Sequence, residues 1–266
     1  MPRLRNTFDR LLASLMFFTR LPWWRIRQVD SACFRHAAHY WPFAGWVTGT
    51  GMALAFWLSS LVLPVSVSVI VAIAARLLLT GALHEDGLAD CCDGLGGGRE
   101  RARVLDIMKD SHIGSYGVIG LIVYFMGMHQ LVVHLAGTAG DNLAVALVIA
   151  LTDVWCKCCA SLLVGQLPYA RKETEAKAGV VYNPLDAGAH ALRLCLSVLP
   201  FLALCVWKGV VPHPLAFAAP LLTEVLWACY LKRRIQGYTG DCCGAAFALC
   251  EVSMYLCVAA TGFVTI

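Results

Sequence analysis

Charge is the scarcest thing in this sequence. Only 14% of the 266 residues are Asp, Glu, Lys or Arg, against about 25% in an ordinary soluble domain. With 59% of the residues hydrophobic, too little polar surface remains to cover a globule in water. A cationic tract is missing too: the formal charge is +4, and no run of Lys and Arg follows a phosphate backbone, which excludes nucleic acid as a partner. Zinc-like spacing is also absent. Thirteen cysteines are present, but Cys156, Cys158 and Cys159 have no second Cys or His pair, and Cys91-Cys92 and Cys242-Cys243 are merely adjacent. Nearly all lie in apolar runs or in loops assigned to the cytosol, so reduced thiols are expected. The opening MPRLRNTFDRLLASLMFFTRLP lacks the uninterrupted apolar core and cleavage site of a secretory signal, so it is expected to be retained.

What is there is long apolar runs. Their natural solvent is lipid, and in lipid a single segment satisfies its own backbone only as a helix. Crossing takes about 20 apolar residues, and seven candidates qualify: 42–63, 65–83, 113–135, 142–164, 190–207, 211–231 and 243–264. Ahead of them, Phe8, Leu11, Leu12, Leu15, Met16 and Thr19 recur at helical spacing, with Asp9, Arg10 and Ser14 opposite, predicting a helix lying at the interface. Trp23, Trp24, Tyr40, Trp41 and Trp46 suit a headgroup-level aromatic belt. The expected fold class is therefore all-α: a polytopic helical membrane bundle of about seven spans plus an N-terminal interfacial helix. It forms one domain over 1–266, with 1–41 as the N-terminal segment and 84–112 as an acidic, glycine-rich loop.

Positive charge is retained on the cytoplasmic side. Seventeen of the 21 Lys and Arg residues fall before the first span or in the loops 84–112, 165–189 and 232–242. That places the N-terminus inside and the C-terminus outside. Of the remainder, Asp153 and Lys157 stand i, i+4 in one span and can pair, while Arg76 and Glu224 have no local partner and need one from elsewhere.

Three motifs share the basic side. In HEDGLADCCDG (84–94) Asp86, Asp90 and Asp93 are spaced i, i+4, i+7, so a helical turn puts three carboxylates on one face. Their repulsion calls for a cation, and hard oxygen ligands suit Mg²⁺ that keeps waters and binds substrate phosphates. The bland alternative is a solvated acidic helix end. In KDSHIGSYG (109–117) Lys109 can neutralise a phosphate and Asp110 can ligate metal. Gly114, Ser115 and Gly117 leave amides accessible at a helix start, where the dipole favours anions. Taken alone this is also ordinary capping chemistry. In RRIQGYTGDCCGA (233–245) Asp241 again stands among small residues at a membrane boundary. The glycine-rich stretch after Asp93 reads as flexible, turning into a short surface helix by Arg103.

At these motifs the chain resembles the cobalamin synthase family. The likeness runs through Phe17-Phe18-Thr19-Arg20-Leu21-Pro22, Trp41-Pro42-Phe43-Ala44-Gly45, the acidic motif, KDSHIGSYG, Tyr169-Ala170-Arg171 and GYTGDCCGA. Departures are His112 for a common Arg, Cys242-Cys243 for Thr-Leu, and Lys157 for an expected Arg. The resemblance implies an inner-membrane adenosylcobinamide-GDP ribazoletransferase. It transfers adenosylcobinamide phosphate to α-ribazole or its 5′-phosphate, with release of GMP and Mg²⁺ as cofactor. Carried onto this chain, the metal candidates are Asp86, Asp90, Asp93, Asp110 and Asp241. The phosphate-binding candidates are Arg20, Lys109, Ser111, Gly114 and Gly240. Catalysis falls to Asp86, Asp90, Asp93 and His84, with the base open between His84 and an aspartate. The implied partners are the two substrates and the bilayer, with room for a homo-oligomer or corrinoid-pathway proteins at the loops. Two rivals stand beside this reading: a CDP-alcohol phosphotransferase, whose D-G-x-x-A-R is broken here by Asp90 after Ala89, and a cation transporter or membrane scaffold.

Overall fold

The structure, a computed structural model, describes residues 2–171, 181–183 and 187–264. Lys172 and Lys177 of the basic loop lie outside the described residues, as do the side chains of Arg3, Arg5 and Arg193. The described residues are mainly helical. In order come α1 (Pro2–Phe18), α2 (Trp41–Ser60), α3 (Val65–Thr80), α4 (Leu83–Gly97), α5 (Arg101–Lys109) and α6 (Ser115–Ala139). Then follow α7 (Asn142–Ser161), the short α8 (Leu163–Gln166), α9 (Ala187–Lys208), α10 (Pro214–Arg234) and α11 (Gly240–Thr261). Among the described residues the only ladder is a two-residue antiparallel pairing of β1 (Val211–Pro212) with β2 (Phe263–Val264). The all-α expectation holds.

Among the described residues four helical stretches are long and apolar enough to cross a membrane: Ser115–Ala139, Asn142–Gln166, Pro214–Arg234 and Gly240–Thr261. A fifth counts if α3 and α4 form one broken span. The other two of the seven expected ranges fall on α2 and α9, which are not among these stretches, so length and apolarity give four or five spans where seven were expected. The buried share separates inner helices from outer ones. It is 83% for the apolar window of the α7–α8 stretch and 67% for α11, but 22% for α6 and 28% for α10. The α7 helix is thus the central post, and the outer faces of α6 and α10 remain for lipid.

Close packing around α7 explains two glycines. A Cβ on Gly49 of α2 would lie 2.9 Å from Asp153 Cβ and 3.0 Å from Ala150 O, and one on Gly45 would lie 3.0 Å from Val154 Cα. This is the small-xxx-small pattern by which membrane helices approach one another. The charges buried there are paired. Lys157 Nζ bonds Asp153, and Thr48 Oγ1 bridges both, 2.9 Å from Asp153 Oδ1 and 3.0 Å from Lys157 Nζ. Arg76 on α3 pairs with Glu251 on α11 and donates to Tyr124 Oη at 2.7 Å, with Glu85 at 3.3 Å. Glu224 accepts from Gln166 Nε2 at 2.8 Å. The partners that Arg76 and Glu224 lacked locally come from distant helices.

Several local expectations are corrected. The α1 helix does bury Leu12, Leu15 and Phe18, but Ser14 is on that buried face too, donating from Oγ to Ala37 O at 3.0 Å. Trp41 and Tyr40 do not face outward as members of an aromatic belt would; they are 1% and 5% exposed, and Trp41 stacks on Phe18 with ring centroids 4.8 Å apart. The span 65–83 ends early, because Gly81 and Ala82 both take left-handed φ, 66° and 57°, and turn the chain by 90° from α3 into α4. The glycine-rich stretch is helix rather than loose loop as far as Gly97. Its glycines admit α5: a Cβ on Gly94 would lie 2.9 Å from Val104 O, and one on Gly98 would lie 2.9 Å from Val104 Cα. The short helix after it is α5.

Candidate active site

The 90° turn at Gly81–Ala82 presents the start of α4 to the start of α11. The two helices touch through glycine: a Cβ on Gly87 would lie 2.7 Å from Asp241 O, and one on Gly244 would lie 3.0 Å from His84 O. Asp86 is in the first turn of α4, and Asp241 is in the first turn of α11. Both line one cavity of about 280 Å³, together with Phe17, Phe18, Trp41, Leu83, His84, Tyr169, Arg171, Tyr182, Gly240, Cys243 and Gly244. Both helix starts also bring the positive ends of their dipoles there, which favours anions.

The cavity has an aromatic wall and a charged rim. On the wall, the His84 ring stacks on Trp41 at 5.5 Å between centroids and lies 4.7 Å from Phe247. On the rim, Arg171 Nη1 lies 3.9 Å from Asp241 Oδ2. Four buried polar atoms of lining residues have no hydrogen-bond partner among the described residues: Trp41 Nε1, His84 Nδ1, His84 Nε2 and Arg171 Nε. A buried polar atom left without a partner costs about 1–3 kcal/mol, so their gathering at one cavity marks a place for a polar ligand. Burial pushes the Tyr169 phenol above its ordinary value, which keeps it a neutral donor at the rim.

The rim is held in place by backbone clamps. Arg101 donates from Nε to Ile235 O and from Nη2 to Ala170 O, both at 2.8 Å. Ala170 N donates to Tyr238 O at 2.8 Å, and Tyr238 N to Pro168 O at 2.9 Å. Arg234 donates to Gly98 O at 2.6 Å at the end of α4. Basic residues that orientation alone would explain thus also tie the segments bearing Arg171 and Asp241 to α4 and α5.

The expected site residues fall into separate places. Asp86, Asp241, His84 and Gly240 line the cavity. Asp93, Asp110 and Gly114 line a second cleft with Arg103, Asp106 and His112. Asp93 is 8% exposed and caps α6: Gly114 N donates to its Oδ2 at 2.7 Å and Gly117 N to its Oδ1 at 2.8 Å. Asp110 is exposed, and bonds from the His112 amide and ring hold its carboxyl below the usual range. Asp90 is half-buried between the two groups on α4, and Lys109 and Ser111 are exposed. Arg20 packs against the hinge: a Cβ on Gly81 would lie 2.9 Å from its Cζ. Sequence reasoning missed Arg171, Tyr169, Tyr182 and Trp41 as cavity residues. Tyr169-Ala170-Arg171 stood out only as a stretch of resemblance.

Among the described residues no three His, Cys, Asp or Glu side chains converge to hold a metal by themselves. Asp86 and Asp241 at one cavity are a donor set of another kind. Magnesium is commonly bound by one or two carboxylates and completed by water and substrate phosphate, and these two residues fit that.

The sequence profile of the family described as Cobalamin-5-phosphate synthase matches residues 10–259. An adenosylcobinamide-GDP ribazoletransferase of Shewanella frigidimarina is 34% identical over 249 residues, 94% of this chain and 93% of the relative. Relatives of the same name from Leptothrix cholodnii and Leptospira interrogans are 38% identical over 250 residues and 32% over 263. They cover 91% and 96% of this chain, and 92% and 97% of their own lengths. No solved structure matches the chain. The chain belongs to the cobalamin-5-phosphate synthase family.

Proposed function

We propose that this protein is an adenosylcobinamide-GDP ribazoletransferase completing the nucleotide loop of cobalamin, in a bacterial inner membrane with the cavity facing the cytoplasm. The observation that carries the site assignment is the meeting of Asp86 and Asp241, 155 positions apart in sequence, at one cavity beside a buried arginine. In the reaction, the oxygen of a ribose hydroxyl that is free both in α-ribazole and in its 5′-phosphate forms a bond to the cobinamide-bound phosphorus. The P–O–P bridge breaks, and GMP leaves with the bridging oxygen. The hydroxyl proton passes to a base, and His84, whose ring nitrogens lack partners among the described residues, is placed at the wall to receive it.

Asp86 and Asp241 would hold Mg²⁺, which when bound neutralises charge on the diphosphate. The chain's own residues do the rest. Helix starts and cations stabilise the charge that spreads over phosphate oxygens, which is the main demand of phosphoryl transfer. The aromatic wall excludes water and offers flat faces to a heteroaromatic ring. A cavity of about 280 Å³ lies just below the roughly 300–1,000 Å³ usual for ligand pockets, so the reacting phosphate and nucleoside enter while the corrin stays outside. The basic loops beside the site support the cytoplasmic orientation through the positive-inside rule.

The test is GMP release by purified protein from adenosylcobinamide-GDP with α-ribazole, across a Mg²⁺ titration. Release that needs both α-ribazole and Mg²⁺ is expected, with Asp86→Asn slowing it at every Mg²⁺ concentration. Ion flux without bond cleavage, or normal transfer by Asp86→Asn, would overturn the assignment.

A further inference from the structure

Sequence reasoning gives the phosphate clamp to Lys109 and Arg20, but both are exposed and neither lines the cavity. Arg171 does line it, with its side chain only 4% exposed. A guanidinium has five N–H donors. Nη2 of Arg171 donates to Leu105 O at 3.1 Å, Nη1 stands 3.9 Å from Asp241 Oδ2, and Nε is buried without a partner among the described residues. The 3.9 Å separation is longer than a hydrogen bond. The edge of Arg171 on the cavity therefore has donors unspent, at a place where a buried charge needs full pairing.

Beside it begins α11. Gly240, its first residue, is exposed, and no atom lies within 4 Å of where a Cβ would stand. The backbone is thus open to close approach at the positive end of the helix dipole. The Thr239 side chain already accepts from Cys242 N at 3.4 Å, which fixes the cap without covering Gly240. Arg171 is in turn held beside the helix start by the Ala170–Tyr238 and Arg101–Ala170 bonds.

We propose that Arg171 and the first turn of α11 form the subsite for one phosphate of the substrate's diphosphate, with Asp241 as the counter-charge that Arg171 faces at the cavity rim. This rests on the transferase reading for its ligand, but the subsite requires only a diphosphate. Arginine suits the role because its planar fork meets phosphate oxygens in pairs, which lysine cannot do. Lys109 and Arg20 are left outside the phosphate contact.

The test is calorimetric binding of GDP to the purified full chain in detergent. Arg171→Gln is expected to weaken GDP binding roughly 10- to 100-fold, the range spanned by charge-assisted hydrogen bonds. Arg171→Lys should recover only part, and Lys109→Gln should stay within about 2-fold, as for exposed charges. Because Arg171 also holds Leu105 O, Thr48→Val serves as the control for a destabilised fold: it should lower the melting temperature by removing the bridge between Asp153 and Lys157, yet keep GDP affinity within about 3-fold, since Thr48 does not line the cavity. Wild-type GDP affinity in Arg171→Gln, or an equal loss in Thr48→Val or Lys109→Gln, would overturn the subsite. If GDP binds and depends on Arg171 while no GMP is released with α-ribazole, the transferase reading fails and the subsite stands. If transfer proceeds and Arg171→Gln binds GDP normally, the reverse holds.

Discussion

Replacing Gly87 by alanine puts a methyl group where α4 and α11 have no room for one. The added Cβ would lie 2.7 Å from Asp241 O, 3.0 Å from its Cα and 3.2 Å from its carbonyl carbon. All three are backbone atoms, so no side chain can swing away. Restoring ordinary contact at 3.4 Å separates the helices by about 0.7 Å, at an overpacking cost of roughly 1–3 kcal/mol. The better helix propensity of alanine returns up to about 1 kcal/mol, leaving a net loss of about 0–2 kcal/mol and a folded protein. Activity is hit harder, because the shift falls between Asp86 and Asp241. A misplacement of about 1 Å can cost a factor of about 100, so Gly87→Ala should slow GMP release about 10- to 100-fold with only a modest drop in melting temperature. Gly127→Ala on α6, where a Cβ meets nothing within 4 Å, is the control and should keep full activity. Wild-type transfer by Gly87→Ala would refute the claim that the spacing of α4 and α11 sets the site.

Asp93→Ala removes the acceptor of two amides at the start of α6. It should cost about 1–3 kcal/mol of stability, read as a lower melting temperature, whereas Asp93→Asn, which keeps one acceptor oxygen, should lose less. Lys157→Met strands the Asp153 carboxylate in the core beside Thr48. A loss of about 3–5 kcal/mol is expected from breaking a buried pair, and the double variant Asp153→Asn/Lys157→Met should melt higher than Lys157→Met alone.

The helical membrane architecture was legible in the sequence because apolar run length is a strong, local signal. The three boundary motifs were legible because carboxylates and glycines are rare next to such runs. The Asp153–Lys157 pair could be read from its spacing, since i, i+4 neighbours share a face in any helix. Arg76 could not be matched with Glu251, because tertiary packing alone brings α3 to α11. The i, i+4, i+7 pattern correctly put the three aspartates of 84–94 on one helix, but not what each faces. Asp86 opens on the cavity while Asp93, two turns on, reaches the amides of α6. The 90° hinge was hidden because Ala82 adopts a left-handed φ of 57° that the sequence favours only at Gly81. Trp41 was assigned to the headgroup level because its position beside a span is the same whether the ring points to lipid or inward to Phe18 and His84. Arg171 was counted with the orientation-setting cations, and only its burial against Asp241 sets it apart.

The central claim is that Asp86 and Asp241 act as one unit on the diphosphate. A double-mutant cycle on GMP release tests it directly, using Asp86→Asn, Asp241→Asn and the pair in protein of verified fold. Residues that share a ligand are strongly non-additive. The account predicts that each single variant loses on the order of 100-fold or more, the scale of removing one stabilising group at a charged transition state, and that the double variant is little worse than the weaker single. Losses that multiply in the double variant, or a single variant with wild-type rate, would contradict it.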